Sequence, residues 1–219
     1  MTSRLTLSAL TLAILLPALQ ACVPAVIATG AAVGVMSAHD RRSTGIQTDD
    51  ETAEWKVGTR IPEQYKNFSH VNATSYNRRI LLTGEVPSNE AKAAIEAEVR
   101  KLEGVREVYN ELGIGPASPL ASRSNDSFID SKVKARLVDS NQLSANHIKV
   151  VTERGITHLM GIVNEREAKV AIAVARTTAG VRKVVNILEI VSDDETRRID
   201  TQTLGARQAP PQTAPVEKR

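Results

Sequence analysis

The chain of 219 residues has a single cysteine, Cys22, and only six aromatic residues. One cysteine excludes an intramolecular disulfide and every multi-cysteine metal site. With 3% aromatics, any core must rest on Val, Ile, Leu and Ala. A net charge of +3 is too small to argue for a nucleic-acid partner. No glycine-rich phosphate loop, nucleophile elbow or zinc-binding helix motif occurs. The four histidines, His39, His70, His147 and His158, read as structural, so no metal, cofactor or catalytic residue is expected and the chain is not expected to be an enzyme.

The N-terminus carries the first positive signal. Arg4 precedes an apolar run, Leu5–Leu16, too short for the roughly 20 residues that span a bilayer. Leu19-Gln20-Ala21-Cys22 then has the form of a lipobox. Residues 1–21 are expected to be a signal peptide, and Cys22 the site of lipid attachment. One acyl chain anchors marginally and two or more hold firmly, so a triacylated, palmitate-bearing Cys22 would keep the chain on a membrane. Val23 follows the cysteine, where aspartate would favour retention in the inner membrane by the sorting rule of enteric bacteria. Residues 22–45 read as the lipidated tether.

The rest of the chain repeats itself. Leu82-Thr83-Gly84-Glu85-Val86 returns as Leu159-Met160-Gly161-Ile162-Val163. Gly104-Val105-Arg106-Glu107-Val108-Tyr109-Asn110 returns as Gly180-Val181-Arg182-Lys183-Val184-Val185-Asn186. Lys56-Val57 matches Lys132-Val133. Fixed order at near-constant offset means two copies of one unit. In the second copy, helical period runs from about Asn125, with Ser127 and Asp130 as a capping box. Strands are expected at Ile148–Thr152, Ile156–Val163 and Val181–Val191, with a helix from Glu165 to Ala179. The first copy has helices at about Asp50–Ile61 and Ser88–Leu102, with Pro62 ending the first early. Its strands are Val71–Tyr76, Ile80–Val86 and Val105–Ile114. The fold class is α+β, two tandem αββαβ domains, each a three-stranded sheet packed by two helices. The expected boundaries are 46–114 and 125–191, a linker at 115–124 and a disordered tail at 192–219.

A hairpin ending in Leu-x-Gly-x-Val, followed by a helix and Gly-Val-x-x-Val-x-Asn, resembles the BON domain. Two such domains behind a lipobox resemble the dual-BON outer-membrane lipoproteins of the DolP family. Arg42–Asp50 and Ser124-Asn125-Asp126 resemble that family too. The resemblance implies a non-enzymatic protein anchored in the outer membrane and facing the periplasm. It also implies binding of anionic phospholipid through the second domain, and support of envelope integrity and cell division. The first helix of that domain is the family's lipid-contacting element. Where one member of the family has a tryptophan, this chain has Phe128, which lacks the polar N–H that favours an interface.

The residues support that element independently. On a helical wheel Ile129, Val133, Arg136 and Leu137 share one face, and Phe128, Ser131, Ala135 and Val138 the opposite one. Lys132 and Lys134 flank the second strip. An apolar strip with basic borders suits a helix lying on an anionic membrane. Residues 46–113 carry a net charge of −3 and residues 127–191 a net charge of +4, which also favours the second domain. The alternative is a structural adaptor that binds envelope or division proteins, or peptidoglycan, without reading lipid.

Overall fold

The computed structural model describes residues 40–208. The expected signal peptide, Cys22, most of the tether and the end of the tail lie outside the described residues. Each repeat folds as expected, α-β-β-α-β. In the first domain these are α1 (Thr44–Arg60), a single turn α2 (Glu63–Lys66), β1 (His70–Tyr76), β2 (Arg79–Val86), α3 (Asn89–Val99) and the broken strand β3 (Glu107–Asn110) and β4 (Gly113–Ile114). In the second they are α4 (Leu120–Ser140), β5 (Lys149–Glu153), β6 (Ile156–Val163), α5 (Glu165–Arg176) and β7 (Lys183–Ile190). A last helix, α6, spans Asp193–Gln208.

In each sheet the middle strand pairs antiparallel with the strand before it and parallel with the strand after the helix. The hairpins turn through Asn77-Arg78 and Arg154-Gly155, all four residues at positive φ, as a two-residue type I′ turn requires. Each turn is held by an aspartate of its own first helix. Asp50 accepts from the backbone N–H of Asn77 and Arg78 at 2.8 Å each. Asp126 accepts from Arg154 and Gly155 at 2.8 and 2.9 Å.

The glycine of the repeated Leu-x-Gly-x-Val motif has a steric cause. A Cβ on Gly84 would lie 1.9 Å from the His70 carbonyl oxygen, and one on Gly161 would lie 2.2 Å from that of His147. The neighbouring chain crosses too close for any side chain.

Among the described residues, three apolar clusters form the core. In the first domain, Val57 of α1 and Ile95 of α3 cover Ile80, Leu82 and Val86. In the second, Ile129, Val133 and Leu137 of α4 and Ala171 of α5 cover Leu159 and Val163. The third cluster joins the domains: Tyr76 and Leu81 pack with Met160, Ile162 and Ile187. The two sheets therefore stack face to face, and β2 and β6 are buried on both faces. Asn77 Nδ2 donates to Glu189 at 2.8 Å, and Arg79 Nη1 to the Ile187 carbonyl at 3.1 Å, across the same contact.

Several boundaries differ from the sequence reading. Helix α1 begins at Thr44, six residues earlier, because Ser43 caps it by accepting from the Ile46 N–H. Helix α4 begins at Leu120, behind Pro119, so Ser127 lies inside the helix and its hydroxyl donates to the Arg123 carbonyl instead of forming a capping box. Pro62 does stop α1, at Arg60.

The end of the expected tether is docked. Arg41 is buried and donates to both Glu167 oxygens, at 2.7 and 3.0 Å, to the Ile162 carbonyl at 2.9 Å, and to Asp200 of α6 at 2.8 and 3.0 Å. The segment expected to be disordered from 192 is thus a helix through Gln208, with Ser192 Oγ accepting from the Glu195 N–H and Ile199 packed on the interdomain cluster. Glu167 also closes a capping box with Asn164. Burial raises its pKa, but the contacts with His147, Arg41 and the Asn164 backbone prevail and hold the carboxyl at about 2.

A candidate lipid-contacting helix face

Helix α4 meets the sheet with Asp126, Ile129, Val133 and Leu137, all buried. Its other face is open. Phe128 is 62% exposed and Val138 58%, with Ser131 and Ala135 exposed between them. The structure brings these four residues onto one strip, as the wheel places them. It adds Leu120, 73% exposed and on the same face two turns before Phe128. From Leu120 to Val138 the strip runs about 27 Å, at 1.5 Å per residue. Leu120 was placed in the linker by the sequence reading. Pro119 was the signal for it, since proline is favoured where a helix starts.

The two flanking lysines differ. Lys134 is exposed. Lys132 is half-buried: its ammonium donates to the Ala179 carbonyl at 2.5 Å and lies 4.8 Å from the centre of the Phe128 ring. It ties α4 to the end of α5 and braces the ring. Arg136, expected on the inward face, is exposed. Its long stem lets the guanidinium reach along the surface to the Val174 carbonyl at 3.1 Å and Thr178 Oγ1 at 2.9 Å. Burial pushes the Asp130 carboxyl up to about 6, against the pull of Thr152 and Lys134.

The same helix of the first domain is built differently. The repeat offset is 76, as between Lys56 and Lys132. It sets Thr44 against Leu120, Thr52 against Phe128, Gly58 against Lys134 and Thr59 against Ala135. Trp55, 73% exposed, stands against Ser131 with only Glu51, Thr52, Gly58 and Thr59 one turn away. Among the described residues no helix is long and apolar enough to cross a membrane.

Two αββαβ domains stacked sheet to sheet define a tandem α+β repeat protein. The BON domain model matches residues 49–116 and 125–192. The chain is 42% identical over 183 residues to the outer membrane lipoprotein DolP of Haemophilus influenzae, covering 81% of this chain and 94% of that one. It is 34% identical over 154 residues to a 21 kDa hemolysin of Actinobacillus pleuropneumoniae, covering 69% and 79%. A structure of CdsD, from the type III secretion system of Chlamydia trachomatis, aligns over 70% of this chain and 98% of that one, at 16% identity. Its TM-score of 0.28 is too low to bear on function. The chain belongs to the DolP family of BON-domain proteins. It is a lipid-anchored protein of the outer membrane.

Proposed function

We propose that this lipoprotein, held by a lipid on Cys22, binds anionic phospholipid through α4 of its second domain and so supports envelope integrity and cell division. No group-transfer chemistry is part of this reading. The observation that carries it is the open strip of Leu120, Phe128 and Val138, with Ser131 and Ala135 between them and Lys134 beside it. Fully burying one such side chain is worth about 1.5–3 kcal/mol. One cation at an anionic surface adds about 1 kcal/mol. Lys132 contributes by holding the Phe128 ring.

Co-sedimentation of residues 40–219 with vesicles tests the reading without the anchor. Binding to anionic but not zwitterionic vesicles, weakened by salt, is the expected result. Binding to neither would leave Cys22 as the whole membrane attachment. The second reading, an adaptor for envelope proteins or peptidoglycan, is favoured by exposed Trp55 in a domain of net charge −3. Crosslinking in cells that recovers no protein or peptidoglycan through the first domain would count against it.

A further inference from the structure

The contact between the two sheets is apolar at its centre and charged at one edge. There Glu85 of β2 and Glu153, at the end of β5, are both shut away from solvent, 1% and 8% exposed. Each carboxylate has one oxygen engaged and one unpaired. Glu85 Oε2 accepts from the Ser118 backbone N–H at 3.0 Å and lies 3.2 Å from His70 Nδ1. Glu153 Oε2 accepts from Asn72 Nδ2 at 3.2 Å. Glu85 Oε1 and Glu153 Oε1 are buried with no hydrogen-bond donor. The donor atoms of His70, Glu85 and Glu153 all lie within 4.8 Å of one another.

Two buried carboxylates facing each other demand a counter-charge. The nearest fixed cation, Arg154, comes no closer than 3.8 Å to Glu85 Oε1, and its side chain is 41% exposed. On the far side of His70, Arg123 Nη1 lies 3.3 Å from Nε2, while its Nε donates to the Ser118 carbonyl.

We infer that His70, Glu85 and Glu153 form a divalent-cation site that links the first domain to the second. One imidazole nitrogen and two carboxylates suit zinc or manganese. Zinc bonds of about 2.0–2.2 Å set tetrahedral ligands about 3.4 Å apart, so closure takes side-chain rotation rather than movement of the strands. Ser118 N–H and Asn72 Nδ2 already orient the two carboxylates from behind, as outer-shell partners do. Metal on Nδ1 moves the imidazole proton to Nε2, so Arg123 releases that nitrogen and keeps its bond to Ser118. Two ligands come from one domain and one from the other, so an ion here fastens the sheet-to-sheet contact. The site is independent of the lipid-facing strip on α4.

The mature lipoprotein in detergent micelles, stripped with chelator and titrated with zinc and then manganese chloride by calorimetry, tests the inference. One ion per chain is expected, with a raised Tm that chelator reverses. Glu153→Gln and His70→Ala should each weaken binding more than about tenfold. A circular-dichroism spectrum like that of the unaltered chain shows that each variant is folded. For a variant that does not fold, cobalt(II) added to the unaltered chain decides instead. A tetrahedral visible spectrum with an imidazole ligand supports the site, and a hexa-aquo spectrum overturns it. No saturable heat with either metal, or affinity unchanged in folded Glu153→Gln, would also overturn it.

Discussion

The two domains share one topology, one hairpin turn, one aspartate cap and one motif glycine, yet their first helices face solvent differently. Helix α4 presents leucine, phenylalanine and valine along one face beside an exposed lysine. Helix α1 presents threonines and a glycine at the matching positions, with one tryptophan among them. What the copies share is what the fold needs. The first helices differ on the face that packs on nothing, which is where a function can be added without cost to the core.

The largest effects should come from what is common to both. Gly84→Ala and Gly161→Ala each drive a Cβ into a backbone carbonyl. Each should cost upwards of about 3 kcal/mol, measured by urea unfolding. Gly84 should be the worse, because its φ of 111° adds strain that Gly161 does not carry. Equal losses would mean that the close crossing alone sets the cost.

Next is a contact that only the second domain has. Glu167 is bound to Arg41, whereas its counterpart in the repeat, Glu90, is exposed and hydrogen-bonds Ser88. Its folded carboxyl titrates near 2 against 4.5 for the free group. The stabilisation is therefore complete above about pH 4.5 and vanishes as pH falls towards 2. Its size is at most about 3 kcal/mol. Glu167→Gln should flatten that part of the pH–stability curve, and Glu90→Gln should leave it in place.

For membrane affinity the domains should separate cleanly. Phe128→Glu should weaken binding to anionic vesicles by about 2–3 kcal/mol, from lost burial and added repulsion. Trp55→Glu should change it little, because no apolar residue stands beside Trp55 on its helix. Equal losses would mean that both first helices lie on the membrane.

The repeat was legible because its residues recur at a near-constant offset, and the order of elements and the strip because each rests on periodicity within one element. The face-to-face stacking was not. It is carried by Leu81 and by Met160 and Ile162, which alternate with Thr83, Glu85 and His158 on the same strand faces, so the run reads as half-polar. Helix α6 was missed because, among its described residues, the ion pair of Asp200 with Arg41, buried Thr196 and Ile199 hold it, and these do not read as an apolar stripe. Ser192-Asp193-Asp194-Glu195, with a capping serine and an acidic first turn, was the available signal. The Glu85–Glu153 pair was invisible for a simpler reason: the residues are 68 positions apart on different copies, and only the stacking brings them together.

The smallest effect tests the strip's borders, which look alike in sequence and unlike in structure. Lys134→Ala should cost about 1 kcal/mol of affinity for anionic vesicles at low salt, and less as salt shortens the Debye length from about 10 Å. Lys132→Ala should leave the salt dependence nearly unchanged, because its ammonium already serves the Ala179 carbonyl. Its cost should appear in thermal unfolding instead, through the lost tie between α4 and α5. If Lys132→Ala flattened the salt dependence as much as Lys134→Ala, the ammonium must leave Ala179 when the helix lands. The bond seen here would then be a resting position, and the Phe128 ring would lose its brace at the moment it enters the lipid.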